Sequence, residues 1–108
     1  MILPKSNNEC FFHGYVQNDI YIDDNQHELS FFLSVQQPFD NYIKINVIAY
    51  GYLAKKIFPL IKPSDKVLVK CVFTLISKNN KSFVRFIASD ILFTEKQSAN
   101  LLFLNNSN

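Results

Sequence analysis

Cations and aromatic rings are the residues of this chain most able to do chemistry, and they recur at alternate positions. Ten of its 11 basic residues are lysine, and its rings are 11 Phe and 5 Tyr with no Trp. Along Tyr42 to Tyr50, the residues Tyr42, Lys44, Asn46 and Tyr50 fall on one side, and Ile43, Ile45, Val47 and Ala49 on the other. Lys66, Lys70 and Lys78 share the polar side of a later apolar segment, and Lys81, Phe83 and Arg85 share that of the next. Phe39 stands in the polar run Gln37-Pro38-Phe39-Asp40-Asn41, where a place in the core does not explain it. A lysine ammonium is a flexible point charge that suits phosphate better than it reads base edges. A basic track interleaved with rings is the make-up of a surface that holds single-stranded nucleic acid, because phosphates are alike and every base has a π-face. Taken singly, each lysine is better explained by a solvated surface. Only the shared faces favour binding. For Tyr50 and Phe83, packing against a tail or a second subunit weighs the same as stacking. Tyr15, Phe32 and Tyr52 fit an oligomer interface equally well.

Other chemistry finds little support. His13 and His27 each stand without Cys, Asp or Glu at ligand spacing, so no metal is expected. Asp23-Asp24 has the look of a carboxylate pair, but it sits in Asp23-Asp24-Asn25-Gln26, where Asp is common for backbone reasons. Two glycines, Gly14 and Gly51, are too few for a phosphate-cradling loop. No enzyme activity and no cofactor are expected. Cys10 and Cys71 read as two free core thiols in a reducing compartment rather than a disulfide framework. The formal charge is +2, from 11 basic and 9 acidic residues, which excludes a strongly basic coat but leaves room for a local patch. No apolar run has the length of a signal peptide or a bilayer span. A soluble protein of the cytoplasm, or of a nucleoid or organelle, is the expectation.

The elements that must position these residues are mostly strands. At 108 residues with 48% hydrophobic composition, the chain suits one domain with its own core. Strands are predicted over 9–21, 27–36, 42–50, 66–76 and 82–93. A short helix is predicted between Gly51 and Pro63, from Leu53, Ile57 and Leu60 at spacings of four and three, with Pro59 cutting it short. A hairpin loop is expected over 77–81 around Asn79-Asn80. Gly14 inside the first strand marks a bulge or sharp bend. The inward faces are Leu29, Phe31, Leu33 and Val35; Ile43, Ile45, Val47 and Ala49; Val67, Val69, Cys71 and Phe73; and Val84, Phe86 and Ala88. Three strands, a helix and two strands is the order of the OB fold, a small Greek-key barrel, with a plain meander as the other topology. Residues 1–7 are expected to be loose, 8–93 to form the domain, and 94–108 to be a polar tail carrying the apolar cluster Leu101-Leu102-Phe103-Leu104.

The chain also resembles the bacterial single-stranded DNA-binding proteins and their relative, primosomal replication protein B. Asn8, Cys10, Phe12, Gly14, Tyr15 and Val16 match the spacing of that family's first strand, and Phe31-Phe32-Leu33-Ser34 matches its second. Val47-Ile48-Ala49-Tyr50-Gly51-Tyr52-Leu53-Ala54 stands where the family runs from its third strand into the helix. Lys62, Lys66-Val67 and Val69 match the lead-in to the fourth. The resemblance covers residues 8–93. It implies an OB barrel that binds single-stranded DNA with little sequence preference in replication, recombination or repair, as a dimer or tetramer formed partly through the first strand.

Two departures qualify it. The family stacks bases on Trp at places that fall here near Phe39, on Lys44 and near Lys78, while the aromatic ending the third strand is kept as Tyr50. The acidic, Phe-ended tail of bacterial members has no counterpart. The alternative is therefore an OB accessory subunit whose main contact is with a polymerase, primase or helicase. RNA remains open as a ligand.

Overall fold

The computed structural model describes residues 8–96; the expected loose segment 1–7 and the cluster Leu101-Leu102-Phe103-Leu104 lie outside the described residues. The elements are β1 (Glu9–Ile22), β2 (Glu28–Gln36), β3 (Tyr42–Tyr50), α1 (Gly51–Ile57), β4 (Lys66–Lys78) and β5 (Lys81–Glu95). The strands close into a barrel in the order β1-β2-β3-β5-β4. β1 pairs antiparallel with both β2 and β4. The barrel shuts where β3 meets β5 in parallel, with Val47 opposite Phe86 and Ile48 opposite Ile87. A meander would lay β3 beside β4, so this closure excludes it. The architecture is the OB fold, with the helix in its expected place.

One glycine makes the closure possible. Tyr15 pairs with Ser34 of β2 and with Lys66 of β4, so β1 passes from one partner to the other there. At Gly14 an added Cβ would lie 2.2 Å from the backbone oxygen of Ser34. No side chain fits that approach.

The core comes from the alternating faces read in the sequence. Leu29, Phe31 and Leu33 pair with Ala49, Val47 and Ile45, and all six are buried. Val16, Val67, Val69 and Cys71 complete the wall, and Ala54, Ile57 and Ile61 plug one end of the barrel. Gly51 starts the helix at φ +58°, a left-handed conformation that glycine takes without cost, while its N–H donates to the His27 carbonyl at 2.8 Å. The Lys62–Asp65 turn is held by the buried Asp65 carboxylate, which accepts the Lys62 N–H at 2.8 Å and pairs with the Lys96 ammonium at 2.7 Å. In the β1–β2 turn, Asp23 accepts the N–H groups of His27 at 2.6 Å and Glu28 at 3.0 Å. The Glu28 bond does most to hold its carboxyl below the ordinary value, so Asp23 serves the backbone.

Three inward residues are not covered. Ile43 is 37% exposed, Phe73 41% and Val84 53%. Phe73 and Val84 keep the inner face, but β4 and β5 continue as a two-stranded arm, from the pair Phe73–Phe86 to the pair Lys78–Lys81, where no opposing strand covers them. The loop expected over 77–81 shrinks to Asn79-Asn80, with φ 54° and 62°, the left-handed pair of a tight hairpin turn.

A bulge sits at the other end of β5. The register shifts between Lys70–Asp90 and Cys71–Ala88, which moves the inward set from Phe86 and Ala88 to Ile91 and Phe93. The Asp90 carboxylate accepts the Ile91 N–H at 2.9 Å, and the Ser89 hydroxyl donates to the Lys70 carbonyl at 3.1 Å. These two side chains satisfy backbone groups beside the bulge.

Candidate nucleic-acid interface

The outer edge of β3 is the spine of the candidate surface. Its outward residues run Tyr42, Lys44, Asn46, Ile48, Tyr50, and at about 3.4 Å per residue they span roughly 27 Å. A groove lies toward each end of this line.

At the Tyr50 end, the β4–β5 arm and β3 enclose a cleft of about 310 Å³ lined by Asn46, Ile48, Ile76, Lys78, Phe83, Val84 and Arg85. Its floor is apolar, since Ile48 is only 6% exposed where β3 meets β5. Phe83, half-exposed, supplies a ring, and Arg85 and Lys78 supply charge. The Arg85 Nη1 donates to the Tyr50 hydroxyl at 2.9 Å, so Tyr50 holds the guanidinium as well as offering a ring. Lys81 lies directly across the hairpin from Lys78. Like charges so placed repel, and an anion between them would relieve that.

At the other end, a groove of about 250 Å³ is lined by His13, Gly14, Tyr15, Ser34, Gln36, Tyr42 and Lys66. The Lys66 ammonium stands 5.3 Å from the centre of the Tyr15 ring. Between the grooves, the Lys44 ammonium stands 5.0 Å from the centre of the Phe32 ring. Cation over ring is favourable in itself, and leaves both groups at the surface.

The fold thus brings together nine of the eleven candidates: Tyr42, Lys44, Asn46, Tyr50, Lys66, Lys78, Lys81, Phe83 and Arg85. Lys70 is not with them. It faces Glu9 at 3.4 Å on the outer side of β1 and β4, with Asp90 opposite on β5. Phe39 stands apart as well. It is 94% exposed in the β2–β3 turn, with φ 67°, beyond the Tyr42 end of the line. Tyr15 and Phe32, which suit an oligomer interface equally well by sequence, each sit here under a lysine of the line. Their strands' outward faces were legible, but which lysine would cross over them depends on pairing between strands.

No family model matches the sequence, and a search of curated proteins finds no match. Solved structures do match. The mitochondrial single-stranded DNA-binding protein Rim1 of S. cerevisiae superposes with a TM-score of 0.71 at 8% identity, over 85% of this chain and 99% of that one. The small single-stranded DNA-binding protein of Streptomyces coelicolor gives 0.62 at 14% identity, over 84% and 94%. The SSB domain of a Synechococcus sp. protein gives 0.56 at 13%, over 82% and 98%. Identities this low carry the fold and not the individual residues, and that fold is the OB barrel in the form built by single-stranded DNA-binding proteins.

Proposed function

We propose that the protein binds single-stranded DNA with little sequence preference, as a non-enzymatic component of replication, recombination or repair. One observation carries this reading: the cation–ring pairs Lys44–Phe32 and Lys66–Tyr15, and the hydrogen-bonded pair Arg85–Tyr50, lie along a single outer line joining two grooves. Phosphates would follow the ammonium groups and the guanidinium, and bases would lie on Tyr42, Tyr50 and Phe83. A line of roughly 27 Å suits the short end of the range of about 4–16 nucleotides bound per OB barrel. The three structural neighbours are single-stranded DNA-binding proteins by name or domain, which supports the same reading.

Binding to fluorescent oligonucleotides tests it directly. Single strands should bind better than duplex of equal length, and affinity should fall with salt. If the five cations Lys44, Lys66, Lys78, Lys81 and Arg85 all met phosphate, the logarithmic slope would be about −3.5. Equal affinity for duplex, or none for either, would favour the second reading, a protein-contact module.

That second reading has its own observation. On the outer side of β1, β4 and β5, Phe11 is 61% and Leu92 59% exposed, with Leu68 paired between His13 and Leu92. Such a face would suit association with a second copy or another protein. A homo-oligomer joined through it fits both readings, and light scattering at micromolar concentration should show a dimer or tetramer. A clean monomer would point to a different partner.

A further inference from the structure

Cys10 and Cys71 lie outside the line of cations and rings. They are directly opposed across β1 and β4, with their Sγ atoms 3.2 Å apart and both thiols free. Opposed residues in an antiparallel pair have Cα atoms about 4.5 or 5.5 Å apart, depending on the hydrogen-bonding pattern. Both values fall within the roughly 4.4–6.8 Å that disulfides span. The backbone therefore need not move, and the side chains already point at each other.

We propose that Cys10 and Cys71 are a modification site, a cross-strand dithiol that a small-molecule disulfide converts reversibly into a protein disulfide. The two sulfurs have different roles. Cys71 is fully buried, and burial, with Cys10 beside it, pushes its thiol up to about 12. Cys10 is only partly buried and is the sulfur an oxidant can reach. The Cys10 thiol gives up its proton and its sulfur attacks one sulfur of the small disulfide, forming a mixed disulfide and expelling one thiolate, which takes up that proton. The Cys71 sulfur then attacks Cys10 and displaces the second small thiolate, which takes up the Cys71 proton. Two protein thiols become one disulfide, and the small disulfide is reduced to two thiols.

The staple would close the chain from Cys10 to Cys71 into a loop holding β2, β3 and α1, and so restrict the unfolded state. It also falls two residues before Phe73, where β4 leaves the barrel as the arm, and where the Asn8 amide already donates to the Phe73 carbonyl at 2.6 Å. Oxidation therefore anchors the root of the arm that carries Lys78, Lys81, Phe83 and Arg85.

The test uses the full chain and oxidised glutathione. Protein is incubated with it, unfolded, and titrated for thiols, with intact mass and thermal melting measured in parallel. The expected result is two thiols before and none after, a mass lower by two hydrogens with no glutathione retained, and a melting temperature several degrees higher that returns on adding dithiothreitol. Cys71→Ser risks the core, so Cys10→Ser is the control, and its melting temperature should not respond to the oxidant. Two thiols surviving oxidation, a mixed disulfide that stops at Cys10, or bridges formed only between chains would each overturn the proposal.

Discussion

The body of the barrel and the β4–β5 arm are built from the same alternating pattern and meet opposite ends. In the body, Phe31, Leu33, Val47, Val67 and Val69 are all at 0% exposure. In the arm, Leu75 is 68% exposed, while Phe83 and Val84 are 53% exposed. Alternation decides which side chains share a face. It does not decide whether another sheet comes to cover that face. Apolar side chains in the body supply stability by leaving water. Those on the arm keep their contact with water and contribute little to stability.

The largest effect expected from this contrast is in the body. Phe31→Ala should cost about 3–5 kcal/mol of stability, from lost transfer energy and the cavity left behind. That is a large share of the roughly 5–15 kcal/mol typical of a domain. Urea unfolding measures it. Whatever fraction remains folded should still bind single strands.

The arm should behave the other way. Phe83→Ala should change stability by no more than about 0.5 kcal/mol. It should weaken single-strand binding by about 1–3 kcal/mol, equally for all base sequences and without changing the salt slope. If this variant loses as much stability as Phe31→Ala, the arm is part of the folding unit and the comparison fails.

Tyr50 lies at the boundary between the two regions and separates two roles. Tyr50→Ala removes ring and hydroxyl and should cost about 1–3 kcal/mol of binding. Tyr50→Phe keeps the ring and releases Arg85, for a loss of about 0.5–1.5 kcal/mol. A Phe variant that binds like the parent would show that holding Arg85 contributes nothing.

The smallest effects sharpen the map of charge. Lys44→Ala should weaken binding and make the salt slope shallower by roughly 0.7, one phosphate contact on a single strand. Lys70→Ala should leave both unchanged, because Glu9 already pairs with that ammonium and it lies off the line. An equal response from the two variants would mean the strand also crosses the outer side of β1 and β4.

Much of this was legible from local pattern. Strand positions, the short helix before Pro59, the Asn79-Asn80 turn and the outward line on β3 all follow from the choice of side chain at each step. A strand turns successive residues to opposite sides whatever its neighbours do. Ile43, Phe73 and Val84 lie on the inward faces and are still exposed, because nothing in a strand's own residues says where the opposing sheet stops. The bulge at Ser89 and Asp90, which shifts the inward positions, was not read for a similar reason. Its side-chain bonds satisfy groups that matter only once β4 and β5 are in register.

The sequence by itself determined which residues share a face within each run free of bulges, and the order in which strands and helix follow. Both depend on interactions within a few residues along the chain. Tertiary structure alone decided the meetings of distant residues. Arg85 reaches Tyr50 because β3 and β5 run side by side in parallel, and Lys66 comes over Tyr15 because β1 changes partner there. Lys70 is partnered by Glu9, and Cys10 faces Cys71, because β1 lies against β4. Each depends on how a closed barrel sets the register of strands far apart in the chain. Register is fixed by the packing of the whole core at once.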